Sequence, residues 1–451
     1  MAIATDESAN RKGGTWLQRW EPEDDAFWQA NKGRAWRTLT ITTINLTLAF
    51  ITWFLVSALV VRLPGAGFQL STDELFWLAA IPGLAGGTLR ILHTFLVPLY
   101  GTRHVIALST LSLVAPLIGW YFAVQDPTTP YWVLLGLAFL AGLGGGNFSS
   151  FMPSTSLFFP KRLQGSALAI QAGIGNFGVS IVQFLTPWLI GFALFGSLAG
   201  APQQFTRADG TSEVWLQNAP LFFVPMVVVF GVLGWFCLRS VPVRANVREQ
   251  LDIFKMKHGL MMTFLYIMTF GTFSGLAATF PLLIKQLYGG FENAPDPLTY
   301  AFLGPLVGSI MRVVAGPISD RLGGARVTQF AGIGLLVSTI AVTFFTEPDS
   351  LDSFPWFLAC MLALFFFSGV GNASTFKQMP MIFPPRQAAG IIGWTGAIAA
   401  YGPFAVGMLI GLSFGWIGSP DLFFYWAAIF YAACIAINWW YYARKGCEKP
   451  C

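Results

Sequence analysis

Three basic residues, Arg90, Arg312 and Lys377, each lie inside a long apolar run and are the side chains there most able to do chemistry. An arginine at the centre of a membrane helix costs about 2.5–3.5 kcal/mol on insertion scales, so a buried one has a partner or a task. The ordinary partner is a buried carboxylate. Every Asp and Glu, however, falls in a tail, a loop or the edge of an apolar run, including Asp73, Glu74, Asp126, Asp209, Glu213, Asp296, Asp320 and Asp421. Two guanidiniums without an internal counter-ion predict an external one, a small anion of low charge. Guanidinium suits the task because its fork of donors matches a planar oxyanion and its charge persists at any working pH. Lys377 is a third cation that a two-arginine site does not require. It lines an exit path, snorkels to one face or, if buried, releases a proton.

A second group lies in Gly142–Ser180, GLGGGNFSSFMPSTSLFFPKRLQGSALAIQAGIGNFGVS. Gly142, Gly144, Gly145 and Gly146, then Gly173, Gly175 and Gly178, leave little side chain on their helix faces. Such faces let two helices approach closely or bring backbone against a ligand. Asn147 and Asn176 add amides where lipid offers no partner. They either bond neighbouring helices or line a polar site, and an Asn beside Gly on two consecutive helices favours the site. Phe148, Tyr266, Phe270 and Tyr401 either shape a narrow slot nearby or simply pack.

The elements that must position these residues are membrane helices. A chain of 451 residues that is 55% hydrophobic and 10% charged is not a soluble protein. Apolar runs long enough to span, about 20 residues each, recur along its whole length. They fall at 38–61, 74–99, 104–124, 131–157, 165–195 and 219–239, then at 258–285, 298–320, 326–345, 355–382, 387–414 and 421–443. The expected fold is therefore an all-α polytopic membrane protein with twelve transmembrane helices. Residues 1–37 form a Trp-rich N-terminal segment approaching the membrane surface, with no cleavable signal peptide. Residues 38–239 and 258–443 form two six-helix halves, 240–257 a charged linker and 444–451 a short tail. With both termini in the cytoplasm, twenty Lys and Arg fall on the inner side and only Arg62, Arg207 and Lys285 on the outer, a strong positive-inside bias.

The two halves repeat. In span 2, Gly86, Arg90 and Gly101 share the Gly-xxx-Arg and Arg-x10-Gly spacings of Gly308, Arg312 and Gly323 in span 8, 222 residues later. FFPKRLQGSALAIQAGIGNFG is matched by IFPPRQAAGIIGWTGAIAAYG, 224 residues on, so that Gly178 falls on Gly402. Two parallel six-helix halves with a basic linker are the architecture of major facilitator transporters. Span 8 ends in GPISDRLGGAR, similar to that superfamily's cytoplasmic loop motif, with Asp320 and Arg321 as the expected helix-locking charges.

Other classes fit less well. No nucleophile, metal cluster or paired carboxylates fall within the spans, so an enzyme is not expected, nor a metal or cofactor. The net charge of +5 belongs to the inner loops and calls for no nucleic acid. Cys237, Cys360 and Cys434 lie in spans as small core residues, and Cys447 and Cys451 end the tail.

The long motif GGGNFSSFMPSTSLFFPKRLQGSALAIQAGIGNFGVS resembles the nitrate signature of the nitrate/nitrite porter (NarK-type) family, and GNASTFKQMPMIFPPRQAAGIIGWTGAIAAYGPF resembles its second copy. The resemblance covers essentially the whole chain. It implies transport of nitrate and nitrite across a bacterial cytoplasmic membrane by a functional monomer. It also implies roles: charge at Arg90 and Arg312, an aromatic sandwich from Phe148 and Phe270, hydrogen bonds from Tyr266 and Asn176. Gly173, Gly175 and Gly178, with Gly146 and Gly402, would form a close-packed flexing seam. Ala399-Ala400 stands where the first copy has Gly175-Asn176, so that seam is asymmetric.

Nitrate/nitrite antiport needs no proton site, and the spans hold no carboxylate, which favours exchange. Proton symport stays open through His93, one turn from Arg90 on the same face, and through Lys377. An anion channel is the third reading.

Overall fold

In the computed structural model, which describes residues 15–196, 200–207, 210–241 and 256–451, most of the described residues are helical. Lipid offers no partner for a backbone amide, so apolar runs of this length close their hydrogen bonds internally as helices. Among the described residues eleven helical segments are long and apolar enough to cross a membrane. One of them, Thr72–Ala123, holds two of the expected spans. Gly101 divides it, at φ +78 and ψ 159, and a Cβ there would stand 2.3 Å from Ser240 Oγ. Only glycine fits that break.

Local signals set the helix starts. Asp24 accepts from the Phe27 amide and starts the first helix at Asp25, well before the expected 38. Ser71 and Glu74 form a reciprocal capping box at the head of span 2. The N-terminal segment, expected to approach the membrane surface, docks on the turn between spans 4 and 5. Trp20 and Trp28 pack on Phe158 and Phe159, Glu23 Oε1 accepts the Lys161 amide at 2.9 Å, and Arg162 pairs with Asp25 at 3.1 Å. Most of the linker, 242–255, lies outside the described residues.

Three features had no sequence signal. The loop between spans 5 and 6 carries an antiparallel hairpin, β1 (Gln203–Arg207) and β2 (Gly210–Val214). Span 7 contains a π-helical turn, Ile267–Gly271, between Lys257–Tyr266 and Thr272–Tyr288. Span 11 is interrupted between Pro385–Ala399 and Gly402–Ile417.

Span 1 lies along span 5, and span 10 along spans 8 and 9, while span 2 meets span 11 and span 5 meets span 8 across the halves. Among the described residues, three polar contacts join the halves on the side away from the chain termini. Arg62 pairs with Asp296 at 2.6 Å, Lys285 donates to the Val61 carbonyl at 2.8 Å, and Gln183 donates to the Ala277 carbonyl at 2.8 Å. The hairpin covers the first of these, with the Phe205 ring 5.7 Å from the Arg62 guanidinium. At the other end the tail folds back. Glu448 bonds Lys257 at 2.8 Å and His258 at 3.1 Å, which holds its carboxyl below the usual range, and the Cys451 carbonyl accepts the Ala325 amide.

Candidate functional site

Arg90 is wholly buried where the two halves meet. Its Nε donates to the Gly145 carbonyl of span 4 at 2.8 Å and its Nη1 to the Gly396 carbonyl of span 11 at 2.7 Å. Nη2 has no partner. Arg312, from span 8, is nearly as buried, and its one side-chain bond is a long 3.5 Å approach of Nη2 to the Tyr266 hydroxyl, leaving Nη1 unpartnered. The ion pairs seen among the described residues include neither arginine. Burying a charge without a counter-ion costs several kcal/mol, so both guanidiniums stand ready for an anion.

Aromatic rings frame them. The rings of Phe148 and Phe270 lie 28° from parallel with centroids 6.4 Å apart. That is close to the about 7 Å that two contacts of about 3.5 Å each would fill with one planar layer. The Arg90 Cζ is 4.6 Å from the first ring centre and 5.2 Å from the second. In the triangle of those three distances, Cζ stands about 3.7 Å from the point midway between the rings. This is near the reach of a guanidinium holding a planar oxyanion through two N–H···O bonds. Arg312 approaches the Phe270 ring to 5.9 Å, so both arginines border the same ring. Tyr266 stacks on Phe270 at 5.4 Å, within 6° of parallel. The π-helical turn lies directly after Tyr266 and carries Phe270; such single turns commonly mark functional sites.

The two asparagines part company. Asn147 gives its amide to the Ser109 carbonyl at 3.5 Å, a helix contact, whereas Asn176 is fully buried with neither amide atom partnered. Asn372, on span 10, shares that condition. Tyr401 packs its ring on Gly87 and shares a 2.9 Å bond with Thr88.

The glycines do not form the single seam expected of them. A Cβ at Gly175 would meet Leu46 at 2.8 Å and one at Gly178 the Thr47 carbonyl at 2.5 Å, so both face span 1 within their own half. Gly146 faces Leu89 and His93 of span 2, while Gly173 faces Val313 of span 8 in the other half. Gly402 meets the π-helical turn itself, its Cβ position 2.4 Å from the Gly271 carbonyl. Residues two apart on a helix point in different directions, as Gly173 and Gly175 do, so one glycine run serves several partners.

The remaining candidates have partners of their own. His93 Nδ1 shares a 2.9 Å hydrogen bond with Ser150 Oγ. Lys377 pairs with Asp320 at 2.5 Å, both half-exposed, which joins spans 10 and 8 within one half. Of the two expected helix-locking charges, Asp320 bonds Lys377 of a neighbouring span and Arg321 is exposed. Sequence reasoning missed the Gly145 and Gly396 carbonyls, and two rings over the arginines. Trp53 lies 5.4 Å from Arg90 and Phe376 5.2 Å from Arg312. Phe376, next to Lys377 in the second signature copy, was the one with a signal.

The chain matches the Major Facilitator Superfamily over residues 41–376. It is 66% identical over 97% of its length, and 99% of the relative's, to the probable nitrate/nitrite antiporter NarK2 of Thermus thermophilus. It is 36% identical to the nitrate/nitrite transporter NarU of Escherichia coli, over 97% and 98% of the two chains. Among solved structures it resembles a bacterial homologue of the human lysosomal transporter Spinster, inward-facing and occupied. The TM-score is 0.66 at 14% identity, covering 89% of this chain and 95% of that one.

Proposed function

This chain belongs to the major facilitator superfamily and, within it, to the NarK-type nitrate/nitrite porters, and from that membership we propose that its central site exchanges nitrate for nitrite by alternating access. It is a multi-pass membrane transporter, not an enzyme. The observation that carries the site reading is the pair of buried guanidiniums, one per half, each with an unused N–H and no carboxylate beside it.

The mechanism follows from charge. Two arginines that border one ring repel each other, and a monovalent planar anion between them relieves the repulsion. The halves then close on the anion, with Phe148 and Phe270 against its faces and Arg90, Arg312, Tyr266 and Asn176 against its edge. Without an anion the two charges disfavour the closed intermediate, so the empty carrier does not return and exchange becomes obligatory. Neither candidate proton site stands free: His93 is bonded to Ser150 and Lys377 to Asp320. The positive-inside bias supports cytoplasmic termini, in a bacterial cytoplasmic membrane, and the protein works as a monomer.

The test uses purified protein in liposomes preloaded with nitrite, chloride or nothing, with external nitrate entry followed with and without a pH gradient. Entry should require internal nitrite and ignore the gradient. Entry into empty vesicles that tracks an inward proton gradient would mean symport, and gradient-independent entry with no internal anion would mean a channel. In the same vesicles His93→Gln should keep at least half of wild-type exchange, since exchange needs no proton site there. Loss of a proton-driven component of entry in that variant would favour symport through His93.

A further inference from the structure

Among the described residues, two buried asparagines have both amide atoms without a partner: Asn176, already placed in the site, and Asn372. Asn372 lies midway along span 10, Phe354–Ile382. Its direction follows from its neighbours on the helix. Gly369, three residues before, packs on the backbone of Gly308, with its Cβ position 2.2 Å from that carbonyl. Phe376, four residues after, has its ring 5.2 Å from the Arg312 guanidinium and 4.9 Å from the Tyr266 ring. Residues three and four apart share a helix face, and Gly308 and Arg312 are themselves one turn apart on span 8. Asn372 therefore sits on the face turned to span 8, between the levels of Gly308 and Arg312. On its other flank, Gly371 and Thr375 touch Thr269 of the π-helical turn. The amide is bracketed by the two elements that carry Arg312 and Phe270.

An amide kept buried without a partner costs about 1–3 kcal/mol for each unmet group, and a leucine of similar size would cost none of it. One turn further along the helix, Phe376 packs on the Tyr266 ring, a neighbourhood in which a leucine would be at home. Each half offers one guanidinium with a free N–H and one asparagine with a free amide: Arg90 with Asn176, and Arg312 with Asn372. The two halves are alike in this, although the internal repeat sets Ala400 and not Asn372 opposite Asn176.

We propose that Asn372 is a substrate-contacting residue whose amide N–H donates to the third oxygen of nitrate, so that it favours nitrate over nitrite. This rests on the nitrate/nitrite reading above. Nitrite has two oxygens, which the two guanidiniums with Tyr266 and Asn176 answer; nitrate adds a third acceptor, in the same plane, for which Asn372 is the further donor. A site built to bond a group discriminates strongly against the analogue lacking it.

The experiment measures nitrate and nitrite dissociation constants by calorimetry on purified protein, together with thermal unfolding, for wild type, Asn372→Leu, Asn372→Ser and Arg312→Gln. Both Asn372 variants should weaken nitrate about tenfold and nitrite less than threefold, without lowering the unfolding temperature. Serine covers the case in which leucine disturbs folding. Unchanged nitrate affinity with raised stability would return Asn372 to packing and overturn the proposal. Equal weakening of both anions would overturn the discrimination. The nitrate/nitrite reading fails separately, if wild type binds neither anion or if Arg312→Gln binds both as wild type does.

Discussion

Arg90→Lys should lower nitrate/nitrite exchange at least about 100-fold while the protein still inserts and purifies. The charge survives this change; the geometry does not. Arg90 uses Nε on the Gly145 carbonyl of one half and Nη1 on the Gly396 carbonyl of the other, and presents Nη2 beside the slot. A lysine ammonium is a single point on a flexible stem and cannot hold two carbonyls in fixed directions while meeting an anion. Hydrogen bonds from a charged group contribute about 1.5–3 kcal/mol each, and every 1.4 kcal/mol is about tenfold. Losing two of them therefore exceeds 100-fold. Exchange in preloaded liposomes, scaled to the protein recovered in the bilayer, measures the effect. A lysine variant with wild-type rate would mean that charge alone suffices and the fork plays no part.

The second large effect is expected at Gly402→Val, with exchange reduced at least tenfold. The position opposite Gly402 is backbone, the Gly271 carbonyl at 2.4 Å and its Cα at 2.8 Å, with Ser274 Oγ at 2.6 Å. Backbone cannot swing away as a side chain can, so any Cβ must push span 11 off the π-helical turn. Overpacking of this kind costs about 1–3 kcal/mol, and the displaced turn carries Phe270, one face of the slot. Gly415→Val, on the same helix with open space around it, serves as the control and should exchange like wild type. Normal exchange by Gly402→Val would show that this contact is not kept through the cycle.

What the sequence disclosed, and what it hid, follows from the physics of each feature. Charges inside apolar runs are conspicuous, and their 222-residue spacing tied them to a repeat, so Arg90, Arg312 and the two-half architecture were readable. The partners of Arg90 were not, because Gly145 and Gly396 contribute carbonyls, which every residue possesses. The direction of each glycine depends on helix rotation, which glycine itself does not encode; hence one expected seam became contacts with spans 1, 2, 7 and 8. Asp320 and Lys377 lie 57 residues apart in different spans, and only packing reveals them as a pair. The hairpin Gln203–Val214 sits in a polar loop whose short length gave no hydrophobic period to read.

The bonds at the end opposite the termini also have a kinetic meaning. Arg62 with Asp296, Lys285 with the Val61 carbonyl and Gln183 with the Ala277 carbonyl must all part before an anion can enter from that side. If these bonds keep carriers open there in the minority, a ligand that needs that conformation shows its intrinsic dissociation constant divided by the competent fraction. One set of binding residues then yields two half-saturation concentrations, higher from the hairpin side than from the side of the termini. Sidedness of this kind resides in the distant closure and leaves the site itself symmetric in what it can hold.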